Sequence, residues 1–317
     1  MRSSKFEIAP DLILTHLLVS KDGTKFAVAA EGSNEILIYS RQFELLSRLR
    51  FRFTQSALVS CDWSCLDEIC TVDETSCVLV YRISEIEKPA LLDISSVELV
   101  NEVRFAESGR SLILSTSREL ILFEKRDVWL QVSSVVVEFL DTFALHPKHE
   151  LASLVTRRKE HPRSRISFIS TSSNEFGQLI HDLDKFFSDV NWIEFSNSGT
   201  HLCIALVTSE VCFFRLDSNF QILESQILTT PKAPFLSFSH LSERELVCVG
   251  YDRELILLQN SGSEKKLAFR VIRQIHENYC TLHELEHHTN CVTRVRWLLG
   301  REVVTSACDG CVVIWSL

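Results

Sequence analysis

An all-β, seven-bladed β-propeller closed by its N-terminal strand is the fold class that this 317-residue sequence predicts. Three observations carry that expectation: a repeating step, a second row of positions that keeps it, and terminal segments that complement one another. Tyr39, Tyr81, Phe123, Phe168, Phe214 and Leu258 each fall near the end of a short apolar run, and the steps between them are 42, 42, 45, 46 and 44 residues. One four-stranded blade of a WD40-type propeller occupies roughly 40–45 residues.

The second row consists of Val19, Trp63, Phe105, Leu145, Phe195, Phe238 and Trp297, each closing an alternating apolar segment that runs into a turn. Three of these turns, Lys21-Asp22-Gly23, Glu107-Ser108-Gly109 and Asn197-Ser198-Gly199, have hairpin chemistry. The runs that follow, such as Phe26-Ala27-Val28-Ala29-Ala30, Ser111-Leu112-Ile113-Leu114 and His201-Leu202-Cys203-Ile204-Ala205-Leu206, are continuously apolar, as strands covered on both faces must be. Seven units result. The seventh contains Cys291 to Trp297, Glu302 to Thr305 and Val312 to Trp315, which leaves it one outer strand short. Lys5-Phe6-Glu7-Ile8-Ala9, bounded by Pro10, supplies a strand that completes the blade and removes an open sheet edge.

Seven blades use all of residues 1–317, so the expectation is a single domain with an insert at about 261–288 before the last blade. The step from Leu258 to Trp315 is 57 residues, about a dozen more than the others, which locates the insert. Within it, Lys265 to Ile275 reads as the start of an outer strand, while Val271, Ile272 and Ile275 also suit a short amphipathic helix over Arg270 to Glu277. A hydrophobic content of 45% is enough for a continuous core between blades. No apolar run reaches the roughly 18 residues of a membrane span, and Met1 to Asp11 has no secretory core. The eleven cysteines follow no extracellular spacing, and Cys70, Cys203, Cys212 and Cys248 sit within apolar runs, so a reducing cytoplasm is expected. A net charge of -9 argues against a nucleic-acid partner.

The last unit carries the most specific polar motif. His288, Thr305, Asp309 and Trp315 have the residue types and order of the His, Ser/Thr, Asp, Trp set that hydrogen-bonds across a WD blade, so a structural network is expected there. Asp73 and Asp252 read as partial equivalents. His283-Glu284-Leu285-Glu286-His287 matches the zinc-protease spacing. That chemistry needs a long helix and a third ligand, and the last blade begins almost at once, so a polar connector is the better reading. Cys308 and Cys311 flank a turn without a second such pair, and His146 and His149 bracket Pro147 in a turn, where a solvated or capping role is expected. With nine glycines, no Walker loop and no nucleophile elbow, no catalytic residue, metal or cofactor is predicted.

Two surface features stand out. Arg157-Arg158-Lys159-Glu160-His161-Pro162-Arg163-Ser164-Arg165 is a basic loop in an acidic protein, and Arg157, Arg158, Arg163 and Arg165 are candidates for a carboxylate-rich partner. In the insert, Tyr279, Leu282, His283 and Leu285 are candidates for partner contact.

Several segments, in order, resemble the WD-repeat subunit of the actin-related protein 2/3 complex. They are Phe6-Glu7-Ile8-Ala9-Pro10, Lys21-Asp22-Gly23-Thr24, Glu35-Ile36-Leu37-Ile38-Tyr39, Asp62-Trp63-Ser64, Val103-Arg104-Phe105, Leu145-His146-Pro147, Phe195-Ser196-Asn197-Ser198-Gly199 and the insert from Arg273 to His283. The resemblance implies a non-catalytic cytoplasmic subunit of the actin cytoskeleton. Its implied partners are the neighbouring subunits, the actin-related proteins, acidic activator segments and, through the insert, the actin filament. A generic WD scaffold, such as the non-catalytic partner of a tRNA-modifying enzyme, is the alternative.

Overall fold

The computed structural model describes residues 2–9, 12–50, 57–94, 98–157, 163–229, 235–240, 245–250, 255–260, 269–275 and 288–316. Among the described residues, twenty-eight strands form seven four-stranded antiparallel sheets, a seven-bladed β-propeller. Blade 1 consists of β2 (Leu14–Val19), β3 (Lys25–Ala30), β4 (Glu35–Ser40) and β5 (Leu45–Arg50). Blade 2 consists of β6 (Leu58–Trp63), β7 (Glu68–Asp73), β8 (Val78–Arg82) and the two-residue β9 (Ala90–Leu91). Blade 3 has β10 (Val100–Phe105), β11 (Ser111–Thr116), β12 (Glu119–Lys125) and β13 (Trp129–Val136), and blade 4 has β14 (Leu140–Leu145), β15 (Leu151–Arg157), β16 (Ser164–Ser170) and β17 (Leu179–Phe187). Blade 5 has β18 (Val190–Phe195), β19 (His201–Leu206), β20 (Glu210–Leu216) and β21 (Ile222–Thr229), and blade 6 has β22 (Phe235–His240), β23 (Glu245–Gly250), β24 (Leu255–Asn260) and β25 (Phe269–Ile275). Blade 7 joins β26 (Val292–Trp297), β27 (Glu302–Ala307) and β28 (Cys311–Ser316) to β1 (Arg2–Glu7) from the other end of the chain.

The strand sequences follow their depth in the blade. Second strands such as β7 and β19 are buried along almost their whole length, so both faces are covered. Outer strands such as β21 alternate between half-buried and exposed positions, the mark of one solvated face. In the hairpins between first and second strands, Gly23, Gly109 and Gly199 adopt positive φ, as a tight connection requires.

Internal packing sorts the chain into two compact units. One comprises residues 1–31, 36–47 and 190–317, and the other residues 32–35 and 48–189. In the first, Leu14, Leu17, Phe26 and Val28 of blade 1 pack with Val304, Val312 and Ile314 of blade 7. Cys203 and Phe213 of blade 5 likewise meet Phe235, Phe238 and Leu246 of blade 6. In the second unit, Cys70 and Val72 of blade 2 pack with Val103, Leu114 and Phe123 of blade 3. Ile113 and Leu122 of blade 3 pack with Phe143 and Leu154 of blade 4. Each core is therefore shared by two successive blades, and no sheet buries its apolar face alone.

Strand β1 pairs with β28 from Arg2↔Ser316 to Glu7↔Cys311. It thus begins three residues earlier than Lys5 and stops before Ile8, because Ile8 and Ala9 turn their N–H groups onto the carbonyl of Gly310 at 3.0 and 3.1 Å. Phe6 is held by Phe43, stacked at 5.1 Å, and by the edge of Tyr39 at 5.7 Å.

Three expectations are corrected. Over Phe269–Ile275 the chain is a strand and not a helix; it runs antiparallel to β24 from Leu255↔Ile275 to Asn260↔Phe269 and fills the edge that β24 leaves open. Asp73 closes β7 itself, where Ala307 stands in blade 7, and so does not match Asp309. Phe238 lies two residues before its strand ends at His240.

Candidate functional site

The four polar residues singled out in blade 7 are brought together. The ring of His288 spans the blade between Thr305 Oγ1, 2.8 Å from its Nε2, and Asp309 Oδ1, 3.1 Å from its Nδ1. Trp315 donates its indole N–H to the same Thr305 hydroxyl at 2.8 Å. Asp309 also receives the N–H groups of Thr289 at 2.7 Å and Cys311 at 3.1 Å. The side chains of His288 and Asp309 are 2% and 6% exposed. Burial works against the charge on Asp309. The hydrogen bond and charge of His288 and the two backbone donors outweigh it and hold the carboxyl at about 2. The set locks the segment entering the blade to the β27–β28 hairpin. Asp252 lies outside the described residues.

A second group of polar residues carries no sequence signal beyond alternation. Ser60 Oγ and Asp62 Oδ2 on β6 accept the N–H groups of Val103 and Phe105 on β10, at 3.2 and 2.7 Å. Ser237 Oγ and Ser239 Oγ on β22 do the same for Val295 and Trp297 on β26, at 3.4 and 2.9 Å. In both cases residues i and i+2 of one innermost strand latch the next blade. A further brace joins blades 5, 6 and 7: Arg294 and Arg296 lie over the Trp192 ring, 5.4 and 4.9 Å from its centroid. Arg296 also donates to Ser237 Oγ at 3.1 Å.

In blades 2, 4 and 5 the hairpin after the first strand is held by a buried side chain. Ser64 Oγ accepts from Glu68 N at 3.1 Å, and Ser196 Oγ accepts from His201 N at 3.2 Å. His146 Nδ1 accepts from Lys148 N and His149 N at 3.1 and 3.0 Å, so its role is capping, in a buried position. A cleft of about 260 Å³ opens beside this turn, lined by Glu107, Ile113, His146, His149 and Thr171.

The basic loop joins β15 to β16, and the arginines at its two ends are paired within the chain. Arg157 bridges Asp141 and Asp189 at 3.4 and 3.2 Å, and Arg165 is paired with Asp182. Burial raises the Asp141 carboxyl despite the opposing pull of Arg157. Arg163 is exposed. Arg158, together with Tyr279, Leu282, His283 and Leu285 and the Glu284 and His287 positions, lies outside the described residues. Among the described residues, no three His, Cys, Asp or Glu side chains are grouped to hold a metal ion, and no helix is long and apolar enough to cross a membrane.

No protein-family model matches the chain, and no curated protein matches its sequence. Its fold matches solved propellers. The crystal structure of the Myceliophteria thermophila Cps50 (Swd1) β-propeller domain aligns over 99% of both chains, with a TM-score of 0.76 and 10% sequence identity. At that identity the likeness establishes a seven-bladed β-propeller.

Proposed function

We propose that this chain is a non-catalytic protein-interaction scaffold, a WD-type propeller that holds other proteins within a cytoplasmic assembly. The observation that carries the reading is how its buried polar side chains are used. His288, Thr305, Asp309 and Trp315 close one blade upon itself, while Ser60, Asp62, Ser237 and Ser239 tie successive blades together. The tetrad cross-links side chains within its blade and the latches hold backbone N–H groups of the next one, which suits a rigid frame that presents turns and outer strands to partners.

The finer assignment to the actin-related protein 2/3 complex has weaker support. Lys21 to Thr24, Asp62-Trp63-Ser64, Leu145-His146-Pro147 and Phe195 to Gly199 all fall at the hairpin between a blade's first and second strands. The geometry of any blade demands such residues there, so these motifs do not select one propeller. The segment most able to discriminate, residues 276–287, lies outside the described residues. A WD scaffold whose assembly is unspecified is therefore the reading preferred over the actin one.

Cross-linking mass spectrometry on the tagged full chain, isolated natively from its own cells, tests the proposal. Reproducible cross-links from the hairpin lysines Lys21 and Lys148 to a small set of stoichiometric partners are expected. Actin-related proteins in that set would restore the actin assignment; the absence of intermolecular cross-links would overturn the scaffold reading.

A further inference from the structure

Cys291 lies one residue before β26 and Cys308 one residue after β27. The antiparallel register that pairs Val292 with Ala307 sets the two cysteines opposite each other. The N–H of Cys308 donates to the Cys291 carbonyl at 2.9 Å. Their sulfurs are 2.8 Å apart, both residues are partly exposed, and both are free thiols. A disulfide bond is about 2.05 Å long, so closing this pair takes an approach of under 1 Å between the sulfurs. Just before Cys291 the segment is already fastened to the same hairpin, by His288 to Asp309 and by Thr289 N to Asp309 at 2.7 Å.

We propose that Cys291 and Cys308 are a modification site, converted by thiol–disulfide exchange into an intramolecular disulfide that staples the segment entering the last blade to its β27–β28 hairpin. The co-reactant is a disulfide such as oxidised glutathione. One cysteine, as thiolate, attacks it and forms a mixed disulfide, releasing one glutathione thiol. The second cysteine then attacks the protein sulfur of that mixed disulfide and releases the other. Two protein thiols are oxidised, one glutathione disulfide is reduced to two thiols, and the two protons pass to the departing thiolates. Burial, the adjacent Cys291 thiol and the charge of Asp309 push the Cys308 thiol up to about 12. A thiol held protonated in this way attacks slowly. The inference does not depend on the scaffold reading, because it concerns the blade and not what binds to it.

The test uses the full chain, purified with reductant and then exposed to oxidised glutathione. Alkylation should find two fewer thiols, and digestion without reduction should yield a linked Cys291–Cys308 peptide. The linkage should vanish in Cys291→Ser and in Cys308→Ser but persist in Cys280→Ser and Cys311→Ser. The bond closes a loop of about 17 residues, so the melting temperature should rise by about 5 °C and fall back with dithiothreitol. Should either serine variant fail to fold, thiol counting and peptide mapping of the unsubstituted chain still decide the matter. Cys291 and Cys308 both remaining alkylatable, a persistent glutathione adduct, or linkage through Cys280 or Cys311 would each overturn the proposal.

Discussion

Replacing Gly310 by alanine should loosen the N-terminal strand from the last blade, and the cost can be divided into parts. Gly310 sits in the turn between β27 and β28 at φ +69°, where a Cβ costs about 1–2 kcal/mol. That Cβ would collide with the Ala9 carbonyl oxygen and stand 2.7 Å from its carbon, both backbone atoms that cannot swing aside. Relief requires moving Ile8 and Ala9 away from the Gly310 carbonyl, which gives up their two hydrogen bonds at about 1 kcal/mol each. The total is about 3–4 kcal/mol, or a fall in melting temperature of roughly 7 °C for a chain of this size. Gly300 is the control: it has φ +77° but open space around its Cβ direction, so Gly300→Ala should lose only the conformational part, roughly 3 °C. A double cycle sharpens the comparison. In a chain lacking residues 1–9, Gly310→Ala should shrink to the Gly300→Ala cost, because the colliding carbonyl is gone. Melts followed by circular dichroism measure all five proteins. Equal shifts for the two glycine variants, or a Gly310 cost unchanged by the deletion, would refute the argument.

Other expectations follow from the same contacts. Deleting residues 1–9 removes the partner of β28 and should lower the melting temperature by more than Gly310→Ala does; an unchanged melt would contradict closure by β1. Thr305→Val leaves the Trp315 N–H and the His288 ring without their shared hydroxyl and should cost about 2–4 kcal/mol by chemical denaturation, since each buried orphan group costs about 1–3 kcal/mol. Asp309 lies at about 2 in the folded chain against 3.8 unfolded, so its charge contributes about 2 kcal/mol above pH 3.8. That contribution fades as pH falls toward 2, and Asp309→Asn should show the fade removed from the difference between acid and neutral stability. Ser237→Ala and Ser239→Ala should each cost about 1 kcal/mol, and hydrogen exchange should quicken at the Val295 and Trp297 amides.

The blade count was legible because second strands such as β3 and β19 are covered on both faces. Runs such as Phe26 to Ala30 and His201 to Leu206 had to be continuously apolar, and their spacing is the blade length. The blade 7 tetrad was legible because its four residue types recur together in WD blades. Its bonds depend on the turn that Gly310 permits. The inter-blade latches escaped notice because a serine on a strand has no distinctive spacing; only the shared i, i+2 pairing of Ser60 with Asp62 and Ser237 with Ser239 could have flagged them. At Phe269–Ile275 three apolar residues fit both helical and strand periods, and the open edge of β24, invisible in a one-dimensional pattern, decides the outcome. The pairing at the ends of the basic loop was hidden for a related reason: charge counts along the chain do not reveal that Asp141, Asp189 and Asp182 fold back onto Arg157 and Arg165.

Native mass spectrometry of the tagged chain, isolated without cross-linker from its own cells, tests the scaffold claim most directly. The account predicts a species heavier than the chain's own 36.3 kDa by one or more partners in fixed stoichiometry, with the propeller as a constant component under mild activation. Recovery of the chain only as a 36.3 kDa monomer, across salt concentrations that leave it folded, would contradict it.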